Sequence, residues 1–380
     1  MNTTIEVHSR IEPFATRWEA LAQHTQAAPF LWPGWSGAWW RAFGRGRLQI
    51  LSAYQDGQLA GVLPLYRTRG VLSSTTNPEA PLSGFLAANE AAADQLSHAL
   101  FSKKPRRIDL SLVHPDDAGV ARTRASAHTA GYRMIADTVQ HSPYIDLSGT
   151  TWDAYESGLR RKFRSELRRR RRRLEEEGQL VLEVSDGTER LHELLEQGLR
   201  IEASGWKETR GTSINARPAA RRFYTDVAQW AAQHGWLRLA LLRLNGRPLA
   251  FDYCLECHGV HYLVKTGYDP AYRKFAPGMV IRYLMVARAF SEGLATYDFL
   301  GVPDAWKLEW TGAHQDLLAL RLFAPTALGQ GSRAVFVGGR SLSEQARTLA
   351  QSSIFPESGR RLLKRGHVAW HHWRDSWRVR

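Results

Sequence analysis

The sequence predicts a mixed α/β protein made of two related domains, each with a mostly antiparallel sheet flanked by helices. Three observations predict it: an internal repeat, a tight-turn dipeptide between apolar runs in each copy, and the order of elements after the second copy. Residues 48–62 read LQILSAYQDGQLAGV and residues 237–251 read LRLALLRLNGRPLAF. One constant offset aligns Leu48 with Leu237, Ile50 with Leu239, Asp56 with Asn245 and Gly57 with Gly246.

A helix-like stretch precedes each hairpin, at residues 35–43 and 223–233. Asp56-Gly57 and Asn245-Gly246 then mark two-residue turns, because these residues tolerate positive φ. In the second copy 249–257 is the returning strand, His258-Gly259 a turn, and 260–266 the next strand. Residues 277–292 read as a helix with Pro277 in its first turn. A short strand at 296–300 and another at 317–323 complete the set. Between the copies, 152–177 reads as one helix: Tyr155, Leu159, Phe163, Leu167 and Leu174 fall near one face, arginines fill the other, and Gly178 ends it. The expected division is a degenerate domain over 1–150, a catalytic domain with a basic leading helix over 151–330, and a basic, aromatic tail over 331–380.

The 380 residues suit two domains, and 43% hydrophobic content with 14 Trp gives each a core. Mean hydropathy is −0.38, and no apolar run is long enough to span a membrane. The first fourteen residues carry Glu6 and Glu12 and no apolar core, so they are not expected to be a signal peptide. Two cysteines, Cys254 and Cys257, exclude a disulfide framework, and a cytoplasmic location is expected. Their separation along a strand points the thiols to opposite faces, so no metal is expected there. His367, His371 and His372 lack acidic or Cys partners, and no Ser-His-Asp pattern or Walker loop occurs. The net charge is +14, but residues 160–173 hold ten Arg or Lys and one Glu, which leaves +5 for the remainder. The basicity is mostly one helix, so the charge balance says little about the whole surface.

The junction Arg273-Lys-Phe-Ala-Pro-Gly278-Met279 joins a strand to a helix start. Free amides and the positive helix end suit an anion there, Gly278 allows close approach, and Arg273 and Lys274 add charge. Glu202-Ala-Ser-Gly-Trp-Lys207, Lys265-Thr-Gly-Tyr-Asp269, Tyr272 to Gly278, Tyr297-Asp-Phe-Leu-Gly301 and Trp306-Lys307 stand in one order. Together they resemble the CelD-like branch of the GNAT acetyltransferases, associated with cellulose and exopolysaccharide synthesis and akin to FemAB-like double-GNAT proteins. The resemblance covers residues 150–325, and the first half more faintly.

The resemblance implies two tandem GNAT-like domains and transfer of an acyl group, acetyl by preference, from acyl-CoA to an amine or hydroxyl acceptor. It places the coenzyme A pyrophosphate at the 273–279 junction, with Lys265, Arg273, Lys274, Phe275, Ala276, Pro277, Gly278 and Met279 as donor-binding residues. Trp206, Lys207, Trp306 and Lys307 would line the substrate site. No cofactor is expected to stay bound. Such transfer needs a base, and Glu202, Asp269 and Asp298 are the candidates. Asp298 sits mid-strand, where a charge is otherwise unwelcome; Asp269 also suits a turn cap. No Tyr follows Gly301 to protonate a leaving thiolate. The equivalent loop of the first copy, Asn77-Pro-Glu-Ala-Pro-Leu-Ser-Gly84, is acidic rather than basic, consistent with a degenerate domain that shapes the acceptor cleft.

Three other readings compete. The donor could be an aminoacyl-tRNA, as in Fem-like transferases, with the basic helix on RNA. The chain could bind nucleic acid through residues 160–173, or act as a non-catalytic scaffold. In the tail, Trp370, Trp373 and Trp377 share a helical face among basic residues, which suits either packing of those rings on the second domain or reversible contact with an anionic membrane at its inner surface.

Overall fold

The computed structural model describes residues 3–204 and 213–351. It divides into two compact units, Met1–Leu322 and Phe323–Arg380. The first unit begins with β1 (Thr3–His8), α1 (Ala15–His24), α2 (Pro33–Phe43), β2 (Arg47–Gln55), β3 (Gln58–Thr68), β4 (Val71–Ser74), β5 (Leu86–Ala87), α3 (Glu90–Ala99), β6 (Arg107–Val113), α4 (Ala118–Thr129) and β7 (Arg133–Asp146). It continues with α5 (Trp152–Gly158), α6 (Arg161–Glu176), β8 (Leu180–Ser185), α7 (Leu191–Ala203), α8 (Pro218–Gln233), β9 (Leu237–Leu244), β10 (Arg247–Cys257), β11 (Val260–Tyr268), α9 (Pro277–Ser291), β12 (Thr296–Asp298) and β13 (His314–Phe323). In the second unit α10 (Ala327–Gln351) follows, and Phe336 packs on Phe323 with ring centroids 6.0 Å apart.

Among the described residues the strands form one sheet, in the order β1-β2-β3-β4-β6-β13-β7-β12-β11-β10-β9-β8, with β5 added beside β3. β4 runs parallel to β6 and β11 to β12, whereas β1–β2, β2–β3, β3–β4, β7–β12, β8–β9, β9–β10 and β10–β11 pair antiparallel. The two-copy α/β fold read from the sequence is therefore the observed one, and the strands of both copies run into a single sheet. β13 lies between β6 and β7, so strands from the two ends of the chain interleave.

The repeat is structural as well as sequential. Both hairpins close with two-residue turns: Asp56 and Gly57 have φ of 49° and 81°, Asn245 and Gly246 49° and 79°. Only residues that tolerate the left-handed region fit there. Each hairpin carries a bulge at the same place, with Ala60 the extra residue in β3 and Leu249 in β10, positions the offset aligns. The offset also carries the parallel pair Val71–Ser73 with Arg107–Asp109 onto Val260–Tyr262 with Thr296–Asp298.

One apolar core joins the two copies. α2 packs on α8 through Trp35 on Phe223 (5.0 Å) and Phe43 on Phe223 (5.4 Å), with Arg41 bridging to Asp226 at 2.9 Å. Trp32 meets Trp236 and Phe30 meets Tyr262 at 4.6 and 5.1 Å. A second core, on the opposite face of the second-copy sheet, holds Leu167, Leu174, Ile281, Met285 and Tyr297. The stretch 152–177 is not one helix: it breaks at Leu159, whose backbone is extended. The break turns α5 so that the Glu156 carboxylate receives Arg168 at 2.5 Å and Tyr283 at 2.8 Å. Among the described residues no helix is long and apolar enough to cross a membrane.

Candidate active site

The parallel pairing of β11 with β12 lasts three residues and stops at Tyr262–Asp298. β11 runs on to Tyr268 without β12 beside it. The two strands thus part and leave an opening in the sheet. A bulge opposite Tyr253 and Cys254 makes Val264 the extra residue in β11 just past this point. Because side chains alternate along a strand, the bulge reverses the phase and turns Lys265 toward the α7–α8 face. Thr266 faces the other way, to Arg282.

Asp298 ends β12 at the mouth of the opening and is 4% exposed. Its oxygens accept from the Leu300 amide (2.8 Å) and Gln315 Nε2 (2.7 Å). Burial pushes its carboxyl up to about 7, although both hydrogen bonds and the Lys307 ammonium pull the other way. Its counterpart by the repeat is Asp109, equally buried, which Arg107 grips through Nε (3.0 Å) and Nη2 (2.7 Å). The position matching Arg107 is Thr296 in the second copy, so Asp298 is held by neutral groups. A buried carboxyl poised near neutrality is suited to general-base work.

On the α9 face a buried ion pair supports the opening. Arg282, 1% exposed, donates to Asp252 at 2.6 and 2.8 Å, to the Tyr297 hydroxyl at 2.6 Å and to Thr266 Oγ1 at 3.2 Å. The Trp306 ring stacks beyond it, 5.5 Å from the Arg282 guanidinium and 5.6 Å from the Lys307 ammonium. Lys307 donates to the Leu300 and Val302 carbonyls at 2.8 and 2.9 Å, which pins the loop after β12. Burial lowers the Lys307 ammonium from its usual range.

On the α7–α8 face the acidic loop of the first copy reaches into the second. Glu79, 6% exposed, receives Lys265 Nζ at 2.8 Å, Arg217 Nη1 at 2.5 Å and the Tyr224 hydroxyl at 2.7 Å. Burial alone would raise its carboxyl, but the Lys265 ammonium and Arg217 outweigh that and hold it at about 2. Lys265 also lies 5.5 Å from the Tyr224 ring. The first copy thus supplies a fixed negative charge that positions two cations beside the opening.

The other expected site residues fall as follows. Glu202 is buried on α7, and its Oε2 accepts from the Ile214 amide at 2.9 Å. α7 approaches β11 so closely there that a Cβ on Gly267 would lie 2.6 Å from the Glu202 backbone. Asp269 caps the 3-10 turn Pro270–Phe275, accepting from the Ala271 amide at 2.9 Å, and pairs with Arg247 at 2.8 Å. Arg273 and Lys274 are exposed on that turn, Lys274 over the Phe275 ring at 4.5 Å. Ala276 is left-handed (φ 47°) and Pro277 starts α9. The Met279 and Val280 amides turn back to the Ala276 carbonyl at 2.9 and 3.3 Å. Gly278, next to Pro277, carries the first helical N–H, which has no intrahelical acceptor. Trp206 and Lys207 lie outside the described residues, as do the tail residues His367, Trp370, His371, His372, Trp373 and Trp377. Sequence reasoning missed Glu79, Arg217, Asp252, Arg282 and Gln315 as members of the site, because their partners are remote along the chain.

Residues 161–308 match the family profile described as an acetyltransferase (GNAT) domain. No curated protein sequence matches the chain. Among solved structures, the C-terminal domain of a protein named as a lysylphosphatidylglycerol synthetase from Agrobacterium fabrum superposes with a TM-score of 0.56 at 10% identity, over 86% of this chain and 97% of its own. FemX superposes with a TM-score of 0.55 at 15% identity, over 84% and 97% of the two chains. A conserved protein of unknown function from Bacteroides thetaiotaomicron gives 0.52 at 11% identity, over 84% and 100%. These likenesses are ones of fold, and the GNAT profile covers residues 161–308 of it.

Proposed function

We propose that this chain is an acyltransferase whose donor enters the opening between β11 and β12, and whose general base is Asp298. The observation that carries the reading is a buried carboxyl raised to about 7 at the point where the strands part. The Asp298 carboxylate takes the proton of an acceptor amine or hydroxyl as its nitrogen or oxygen attacks the acyl carbonyl. The carbonyl electrons move onto its oxygen, return as the leaving group departs, and the transferred acyl group stays on the acceptor. Arg273, Lys274 and the Gly278 amide would receive donor phosphates. Glu202 and Asp269 act in this reading as a backbone clamp and a turn cap.

The donor we propose is acyl-CoA, acetyl-CoA by preference, with residues 151–330 as the catalytic domain and 1–150 as the degenerate one. The CelD-like resemblance suggests an acceptor from envelope or exopolysaccharide metabolism, in a cytoplasmic enzyme that the tail beyond residue 330 could hold at the inner membrane. An aminoacyl-tRNA donor is the second reading, favoured by the fold shared with FemX. The basic helix gives it little help: Arg168, Arg169, Arg170, Arg171 and Arg172 all pair with glutamates of the same region, and Arg160 with Glu309. Calorimetry with acetyl-CoA, free CoA and an aminoacyl-tRNA tests the donor. Saturable binding of CoA species alone supports the first reading, of aminoacyl-tRNA alone the second, and of neither a scaffold.

A further inference from the structure

Outside the acyl-transfer motifs, three side chains with metal-ligating atoms meet on one face of the sheet. His141 lies on β7, and His314 and Asp316 on β13, its neighbour. His314 and Asp316 are two residues apart, so the pleat sends both to one side. The Tyr144 amide donates to the Ala313 carbonyl at 3.2 Å, an alignment that brings His141 beside Asp316. His141 Nδ1 lies 2.6 Å from Asp316 Oδ1, and His314 Nε2 lies 3.7 Å from the same oxygen. The two imidazoles meet edge to face at 5.2 Å. One ligand atom from each residue lies within 4.8 Å of the others. The side chains are 53%, 48% and 41% exposed, so an ion can reach them from solvent.

We propose that His141, His314 and Asp316 form a binding site for Zn2+ or a similar divalent transition ion, with water completing the coordination. Two neutral imidazoles and one carboxylate suit such an ion, and hard cations such as Mg2+ poorly. Bonds of about 2.0–2.2 Å place tetrahedral ligand atoms roughly 3.3–3.6 Å apart. His314 and Asp316 already stand near that spacing. The His141–Asp316 pair needs to open by about 1 Å, with His141 carrying its proton on Nε2. The backbone is fixed because β13 is flanked by β6 and β7. A His–Asp hydrogen bond accounts for one imidazole; the convergence of the second is what an ion explains. Gln315, between the two β13 ligands, points to the other face and donates to Asp298. A bound ion would tie β13 to β7 where that donor is anchored.

The test is calorimetric titration with Zn2+ of the full chain carrying His367→Ala, His371→Ala and His372→Ala, which removes the tail imidazoles. We expect one equivalent bound, at least tenfold weaker binding in His141→Ala and in His314→Ala, and a Zn2+-dependent rise in Tm that both variants lose. Because the side chains are exposed, the metal-free variants should melt as the parent does. Saturable binding that neither substitution weakens, or no saturable binding at roughly 100 times the protein concentration, overturns the proposal.

Discussion

Asp298 and Asp109 occupy matching positions in the two copies yet keep different company. Arg107 neutralises one; Thr296 stands where the other would need an arginine. If Asp298 is the base, Asp298→Asn should lower kcat by roughly 10²–10⁴ while donor affinity holds, and the wild-type rate should rise with pH through about 7. Steady-state kinetics with calorimetry of the donor checks it, and an unchanged rate removes Asp298 from the chemistry. Stability carries the opposite sign. The folded carboxyl, at about 7, lies above its ordinary value of 3.8. Below 3.8 both states are protonated and nothing is lost. Between 3.8 and 7 the folded state keeps a proton that the unfolded chain has released, so stability falls as pH rises and stays lower above 7. Urea unfolding should therefore show Asp298→Asn gaining on the wild type at pH 8 and not at pH 3.5. Glu79 behaves conversely: held at about 2 against an ordinary 4.5, its contribution is present above 4.5 and lost as pH falls toward 2. Asp298 was legible in the sequence because a carboxylate between Tyr297 and Phe299 must be accounted for, although the strand expected over 296–300 ends at Asp298 itself. Glu79 was legible only as acidity in a loop, since Lys265, Arg217 and Tyr224 reach it across the fold.

At the scale of elements, the turn from Pro270 to Phe275 and the start of α9 should govern donor binding and little else. Arg273 is exposed there, so its removal should leave the fold intact. Arg273→Ala should cost about 1.5–3 kcal/mol of donor binding, a loss of roughly 10- to 150-fold. A Cβ on Gly278 would come within 3.3 Å of Tyr268 Cδ1, so Gly278→Val should crowd the same edge and weaken the donor as well. Calorimetry of both variants with CoA checks it, and binding equal to wild type in both would move the site elsewhere. The hairpins were legible because turn chemistry is local: Asp-Gly and Asn-Gly meet a demand for positive φ that few residues can. The break between α5 and α6 was not, because the contact it serves, from the Tyr283 hydroxyl to Glu156, joins residues far apart in the chain. The bulge that redirects Lys265 was hidden for the same reason, being a property of two paired strands.

The unit Met1–Leu322 is two repeats about a shared core, and that limits how it can be divided. Phe30, Trp32, Trp35 and Phe43 of the first copy cover Tyr262, Trp236 and Phe223 of the second. A fragment of residues 151–380 would expose this face and lose β7 from beside β12. It should bind a hydrophobic dye and melt without a cooperative transition; a sharp melt with native near-ultraviolet dichroism would show the copies to be independent. The sequence repeat announced two similar units, but not their joint burial, because apolar periodicity tells that a face is covered and not by what.

The bulges at Ala60 and Leu249 bear on ancestry. A one-residue insertion can fall almost anywhere along a hairpin, and these two fall at equivalent positions in sequences that otherwise share little. Matched bulges are what a common origin of the two copies would leave, with the insertion already present before the copying. On such an origin, the surface α2 offers to α8 would once have met its own twin across a two-fold axis, as subunits of a homodimer do. If the first copy is the degenerate one, the pairing of Asp109 with Arg107 is what its release from the chemistry would leave.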